Sequence, residues 1–127
     1  MSTSPLGASM FLLLTAGPDD PKAALPFVAA KGARLDREDV SLVAMADGVH
    51  FLPGSTDRYA VEASGLPTVG RTVERLREAD ALDDAVALEA CCAARGIDES
   101  DLVDWASMDD ERAVARVAAA HDTTLTF

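Results

Sequence analysis

Hydrophobic and polar positions in this chain follow two patterns. Short apolar runs bounded by turn residues read as buried strands, and longer stretches with apolar residues at helical spacing read as amphipathic helices. "SMFLLLT" (residues 9–15) is the first strand. Gly17 and Pro18 break it, Asp20 suits an N-cap, and Pro21 suits a first helical position. The helix that follows sets Ala24, Phe27, Val28 and Lys31 on one side, with Gly32 near its end. Pro26 inside it costs a hydrogen bond unless the first turn is displaced or kinked. "DVSLVAMA" (39–46) is the second strand. Residues 47–67 are mixed and punctuated by Gly48, Pro53, Gly54, Gly65 and Pro67. "TVGRTVERLREADA" is a helix with Val69, Val73 and Leu76 on one face and Arg71, Arg75 and Glu78 on the other. "DAVALEA" is a third strand, "CCAARG" a turn of helix closed by Gly96, and Asp98 caps another short helix. "ASMDDERAVARVAAAHD" holds the last helix, with Val114, Val117 and Ala118 as its apolar face, and "TTLTF" ends the chain as a β-branched strand.

Short apolar strands alternating with helices call for a parallel sheet covered on both faces, a three-layer α/β/α domain. Four strands are visible, and a fifth is expected in residues 60–66 or near 103–107. Residues 1–8 are small and polar and read as a disordered start. Residues 9–127 form one domain by length. In such sheets ligands bind at the carboxyl ends of strands. Three loops leave those ends here, at residues 16–20, 47–50 and 90–95.

Composition narrows the setting. With 127 residues, 49% of them hydrophobic, the chain builds a core without disulfide staples. No apolar run approaches the roughly 18 residues of a membrane span. "MFLLLT" is too short for a secretory segment and lacks a basic lead-in, so a cytoplasmic protein is expected. Asp and Glu number 22 against 11 Lys and Arg, for a formal net charge of −11. That balance opposes binding to nucleic acid and to anionic membranes. An acidic, Lys-poor, Ala-rich chain suggests a halophilic cytoplasm, where carboxylates keep the surface hydrated. Most of the acidic residues are therefore read as solvation.

Little else looks chemical apart from Cys91 and Cys92, side by side after the third strand. A thiol at the first turn of a helix meets unpaired N–H groups and the positive end of the helix dipole, and both favour thiolate. Arg95 one turn along adds positive charge, and Glu89 opposes it. Burial is the competing reading, since free Cys packs as a small hydrophobe. Neighbouring cysteines bridge only through a strained peptide. The cysteines and two scattered histidines lack the spacing of a metal site, so no metal is expected. Asp19 and Asp20 in "TAGPDD" would repel a phosphate, which argues against a flavin carrier; no cofactor is expected. Gly17, Asp47, Gly48 and His50 lie past strand ends and, with Arg95, are the candidate pocket. His50 is a candidate proton shuttle. His121 suits capping of the last helix. Trp105 and Tyr59 suit core or interface anchors.

Several segments together resemble the DsrE/DsrF-like proteins of sulfur relay. They are "GPDDPKAALPFVAAKGA" with its unusual Pro26, "VAMADGVHFL", "CCAARGIDESDLVDWASMDD" and "TTLTF". The resemblance spans about residues 10–127. It implies a flavodoxin-like fold with five parallel strands and a homo-oligomer, commonly a trimer or hexamer. It also implies a cysteine that takes persulfide sulfur from a donor and passes it to an acceptor. Members with a clear sulfur-carrier cysteine usually hold it at the position that is Leu88 here. Cys91 matches a second cysteine of some members. The sequence therefore supports sulfur transfer or thiol redox chemistry through Cys91, with Cys92 beside it. The alternative is a non-catalytic module of the same fold that binds a small ligand or another subunit.

Overall fold

In the computed structural model, which describes residues 9–35, 39–61, 63–79, 82, 85–121 and 123–126, strands and helices alternate along the chain. They are β1 (Ser9–Leu14), α1 (Ala24–Leu35), β2 (Asp39–Ala44), α2 (Val69–Glu78), β3 (Ala85–Leu88), α3 (Glu89–Ala94), β4 (Ala106–Asp109), α4 (Glu111–Ala119) and β5 (Thr123–Thr126). The strands make one sheet in the order β4-β3-β2-β1-β5, and every pairing is parallel. Short 3-10 turns lie at Pro21–Ala23, Ala46–Phe51, Arg58–Ala60 and Glu99–Asp101. The expectation for residues 1–8 falls outside the described residues.

Alternation along the strands decides the layers, because successive side chains point to opposite faces. Leu12 and Leu14 of β1, Leu42 and Ala44 of β2, and Ala85 and Ala87 of β3 join one core with Ala24, Phe27 and Ala30 of α1 and Val69, Val73 and Leu76 of α2. Phe27 meets Phe51 there at a tilt, with ring centroids 5.4 Å apart. Phe11 points the other way and meets the His121 ring beyond α4, at 6.3 Å. The β4–β5 connection runs back across the sheet, so a right-handed crossover puts α4 on the face opposite α1 and α2.

The structure sharpens three sequence expectations. The buried stripe of α1 is Ala24, Phe27, Ala30 and Ala33; Val28 and Lys31 are only half-buried. Pro26 costs no hydrogen bond, because the preceding 3-10 turn makes it the third residue of α1, where amides have no intrahelical partner. "ASMD" is not part of the last helix but supplies the fifth strand expected near residues 103–107. It is β4, the edge strand, and Asp110 caps α4 by accepting from the Arg112 amide at 3.0 Å. Among the described residues no helix is long and apolar enough to cross a membrane.

Candidate functional site

The site forms where β1, β2 and β3 end side by side. Past β2, the Met45 amide donates to the Leu14 carbonyl at 3.0 Å, and the Gly48 amide to the Met45 carbonyl at 2.9 Å. Gly48 is buried, and a Cβ on it would overlap the Leu14 carbonyl. The turn is thus seated directly on the end of β1. To enter it the chain passes Ala46 at φ 50°, a left-handed conformation that costs an L-residue about 1–2 kcal/mol. The Ala46 amide donates to the Cys91 sulfur at 3.1 Å.

The second wall is α3. Leu88 ends β3 and caps the helix, so Cys91 is its third residue and Cys92 its fourth. Consecutive helical positions diverge by about 100°, and the two thiols part company. Cys91 is half-buried beside the turn after β2, while Cys92 is fully buried in the core. The thiols are not bonded to each other. Gly96, at φ 68°, lets the chain reverse out of α3, and the Ile97 amide closes on the Cys92 carbonyl at 3.0 Å. Arg95 reaches back across the site. Its Nε and Nη2 donate to Asp47 Oδ1 at 3.2 and 3.1 Å, and its Nη1 donates to the Cys91 carbonyl at 3.1 Å.

A cleft of about 770 Å³ adjoins this cluster, walled by the loop after β1, Asp47 and His50. Gly17, Asp47 and His50 line it; Cys91 does not, so Asp47 is the link between cleft and sulfur. The predicted residues therefore divide. Cys91, Asp47 and Arg95 come together, Gly17 and His50 belong to the cleft, Gly48 lies beneath as packing, and Cys92 belongs to the core. The donor to the Cys91 sulfur comes from the neighbouring turn. Sequence reasoning missed Ala46, and no signal in residue type marks an alanine as left-handed. His121 places Nδ1 2.5 Å from the Val117 carbonyl at the end of α4. Tyr59 is exposed, its ring lying against Gly70, and Arg77 sits 5.7 Å from the Trp105 ring centre. Among the described residues no group of three or more His, Cys, Asp or Glu is placed to hold a metal ion.

Burial pushes the Cys92 thiol above its ordinary value of 9.0; Cys91 adds to the effect and Arg95 opposes it. The folded protein then holds this proton more tightly than the unfolded chain. Cys92 contributes stability that is complete below about pH 9 and is lost as pH rises through the folded value. Cys92→Ala should therefore lose less stability than the wild type between neutral pH and strong alkali. Urea unfolding across that range measures the difference.

A parallel α/β sheet with a half-buried thiol where its central strands end defines the class of protein. The chain belongs to the DsrE/DsrF-like family, which it matches over residues 8–127. Its fold is similar to that of the ychN protein from E. coli, at 18% identity and TM-score 0.75, over 94% of this chain and 99% of that one. It is also similar to MTH1491, a protein of unknown function from Methanobacterium thermoautotrophicum, at 16% identity and TM-score 0.66, over 95% and 99%. At these identities the likeness is one of fold. No curated protein matches the chain.

Proposed function

We propose that this protein carries sulfur as a persulfide on Cys91. The observation that supports it best is the Ala46 amide on the Cys91 sulfur at 3.1 Å. A transfer sulfur bears negative charge twice, as attacking thiolate and as leaving group. A fixed N–H beside it stabilises that charge without reorganising at the moment of reaction. Hydrogen bonds to charged groups are worth about 1.5–3 kcal/mol.

In the loading step the Cys91 thiolate attacks the outer sulfur of a donor persulfide, R–S–S–H. The donor S–S bond breaks, R–S⁻ leaves with the electron pair, and Cys91–S–S–H forms. In the unloading step an acceptor thiolate attacks that outer sulfur and Cys91 thiolate leaves. One thiolate replaces another each time, so no external oxidant or reductant is needed. The reading implies a cytoplasmic protein with a sulfur donor, a sulfur acceptor and copies of itself as partners. A second reading, a small-ligand module, draws on the cleft, whose volume suits a small molecule.

Treatment with a low-molecular-weight persulfide, followed by intact mass measurement, tests the proposal. Wild type and Cys92→Ala should gain one sulfur atom, and Cys91→Ser should gain none. Equal loading of Cys91→Ser and wild type would overturn the carrier reading and leave the ligand module.

A further inference from the structure

We infer that Arg95 is a positioning residue: it clamps the turn at Ala46 and Asp47 onto α3 and so holds the Ala46 amide against the Cys91 sulfur. The inference rests on the carrier reading and adds to it the part that keeps the sulfur's donor in place. The turn is fastened on two sides. Toward β1 it is held by the Met45 amide on the Leu14 carbonyl and by the seating of Gly48. Toward α3 it is tied through Arg95, whose guanidinium bridges the Asp47 carboxylate and the Cys91 carbonyl. Between the two fastenings sits Ala46 at φ 50°, a conformation an alanine leaves when nothing holds it. Relaxing that one residue to negative φ turns its amide away from the sulfur.

Exposure argues that the clamp sets geometry and contributes little to stability. The Asp47 side chain is 68% exposed and that of Arg95 is 25% exposed. An ion pair so open to water contributes little to folding. Yet Asp47 belongs to the turn carrying the sulfur's hydrogen-bond donor, and Arg95 ties that turn to the Cys91 carbonyl. Its removal should slow Cys91 and leave the unfolding midpoint close to that of the wild type.

The test uses the full chain at native salt, with iodoacetamide as a neutral probe of Cys91 and the Ala46 amide proton shift as the spectroscopic signature. Arg95→Gln should slow alkylation of Cys91 about tenfold, equivalent to about 1.4 kcal/mol. It should also shift the Ala46 amide proton upfield, in the same direction as Cys91→Ala. Adding Ala46→Gly to Arg95→Gln should restore most of the rate, because glycine takes positive φ freely. Glycine cannot replace the lost positive charge, so this rescue separates the clamp from simple electrostatic help. Asp47→Asn keeps an oxygen for Arg95 and should retain more of the rate than Asp47→Ala, which should copy Arg95→Gln; the Asp47 pair carries the test if Arg95→Gln fails to fold. A wild-type rate and amide shift in Arg95→Gln or, should that variant not fold, in Asp47→Ala overturns the inference. So does an absence of rescue by Ala46→Gly. Neither readout needs persulfide. Failed loading with the expected alkylation pattern therefore overturns the carrier reading alone, and normal loading without that pattern overturns the clamp alone.

Discussion

Iodoacetamide should modify Cys91 in the folded protein and leave Cys92 untouched until denaturant is added. The rates should differ by at least about a hundredfold. Adjacent cysteines share a sequence context, so any difference between them comes from the fold. Cys91 is half-buried and faces the turn after β2. Cys92 is fully buried, and its proton is held more tightly by burial. Only the thiolate attacks, so Cys92 is disfavoured both by access and by protonation. It reacts only when α3 opens, and an opening cost of about 3 kcal/mol slows the reaction about a hundredfold. A time course resolved by peptide mass spectrometry reads both sites in one sample. It belongs at native salt, because a net charge of −11 destabilises the compact state when unscreened. Equal rates in the folded protein would mean that α3 does not bury Cys92. If neither thiol reacts, Cys91 lacks the access a carrier needs.

The strands and helices near the site were legible because hydrophobic pattern and turn chemistry agree there. "SMFLLL" and "DVSLVA" are apolar runs flanked by turn residues, and both are buried central strands. Asp98 and Gly96 mark the ends of elements, and the structure places a capping box and a positive φ at them. "ASMD" was only half legible: a strand is expected near residues 103–107, yet the segment also falls in the stretch holding the last helix. It is a four-residue edge strand whose Ser107 is exposed, so it lacks the continuous apolar run of a buried strand and runs straight into the helical pattern of α4. Hydrophobic pattern alone did not tell which cysteine of the pair is buried; only the family resemblance singled out Cys91. Which of two neighbours faces inward depends on where α3 begins, and boundaries are the weakest part of a pattern reading. Ala46 shows a deeper limit. Its left-handed backbone follows from how the turn is seated on β1 and tied to α3, and both constraints are tertiary.

That seating leads to the largest expected effect on stability: Gly48→Ala should destabilise the protein by about 3 kcal/mol. The objection to a side chain at Gly48 is one of space. A Cβ there would overlap the Leu14 carbonyl oxygen and lie 2.8 Å from its carbon and 3.1 Å from Leu14 Cγ. The oxygen and carbon are backbone atoms of a central strand, where Leu14 pairs with Ala44 of β2, so they do not swing aside freely. The turn must lift instead. Lifting stretches the bond between the Met45 amide and the Leu14 carbonyl and carries the Ala46 amide away from Cys91. Stability and thiol reactivity should therefore fall together in this variant, unlike in Arg95→Gln. Gly32→Ala is the matched control. Gly32 lies within α1 with nothing near its Cβ position, so alanine there should stabilise by about 0.5–1 kcal/mol through helix propensity. Urea unfolding of the two variants at native salt separates the effects. If Gly48→Ala is as stable as the wild type, the turn does not rest on β1, and the support for the Ala46 amide beside the sulfur goes with it.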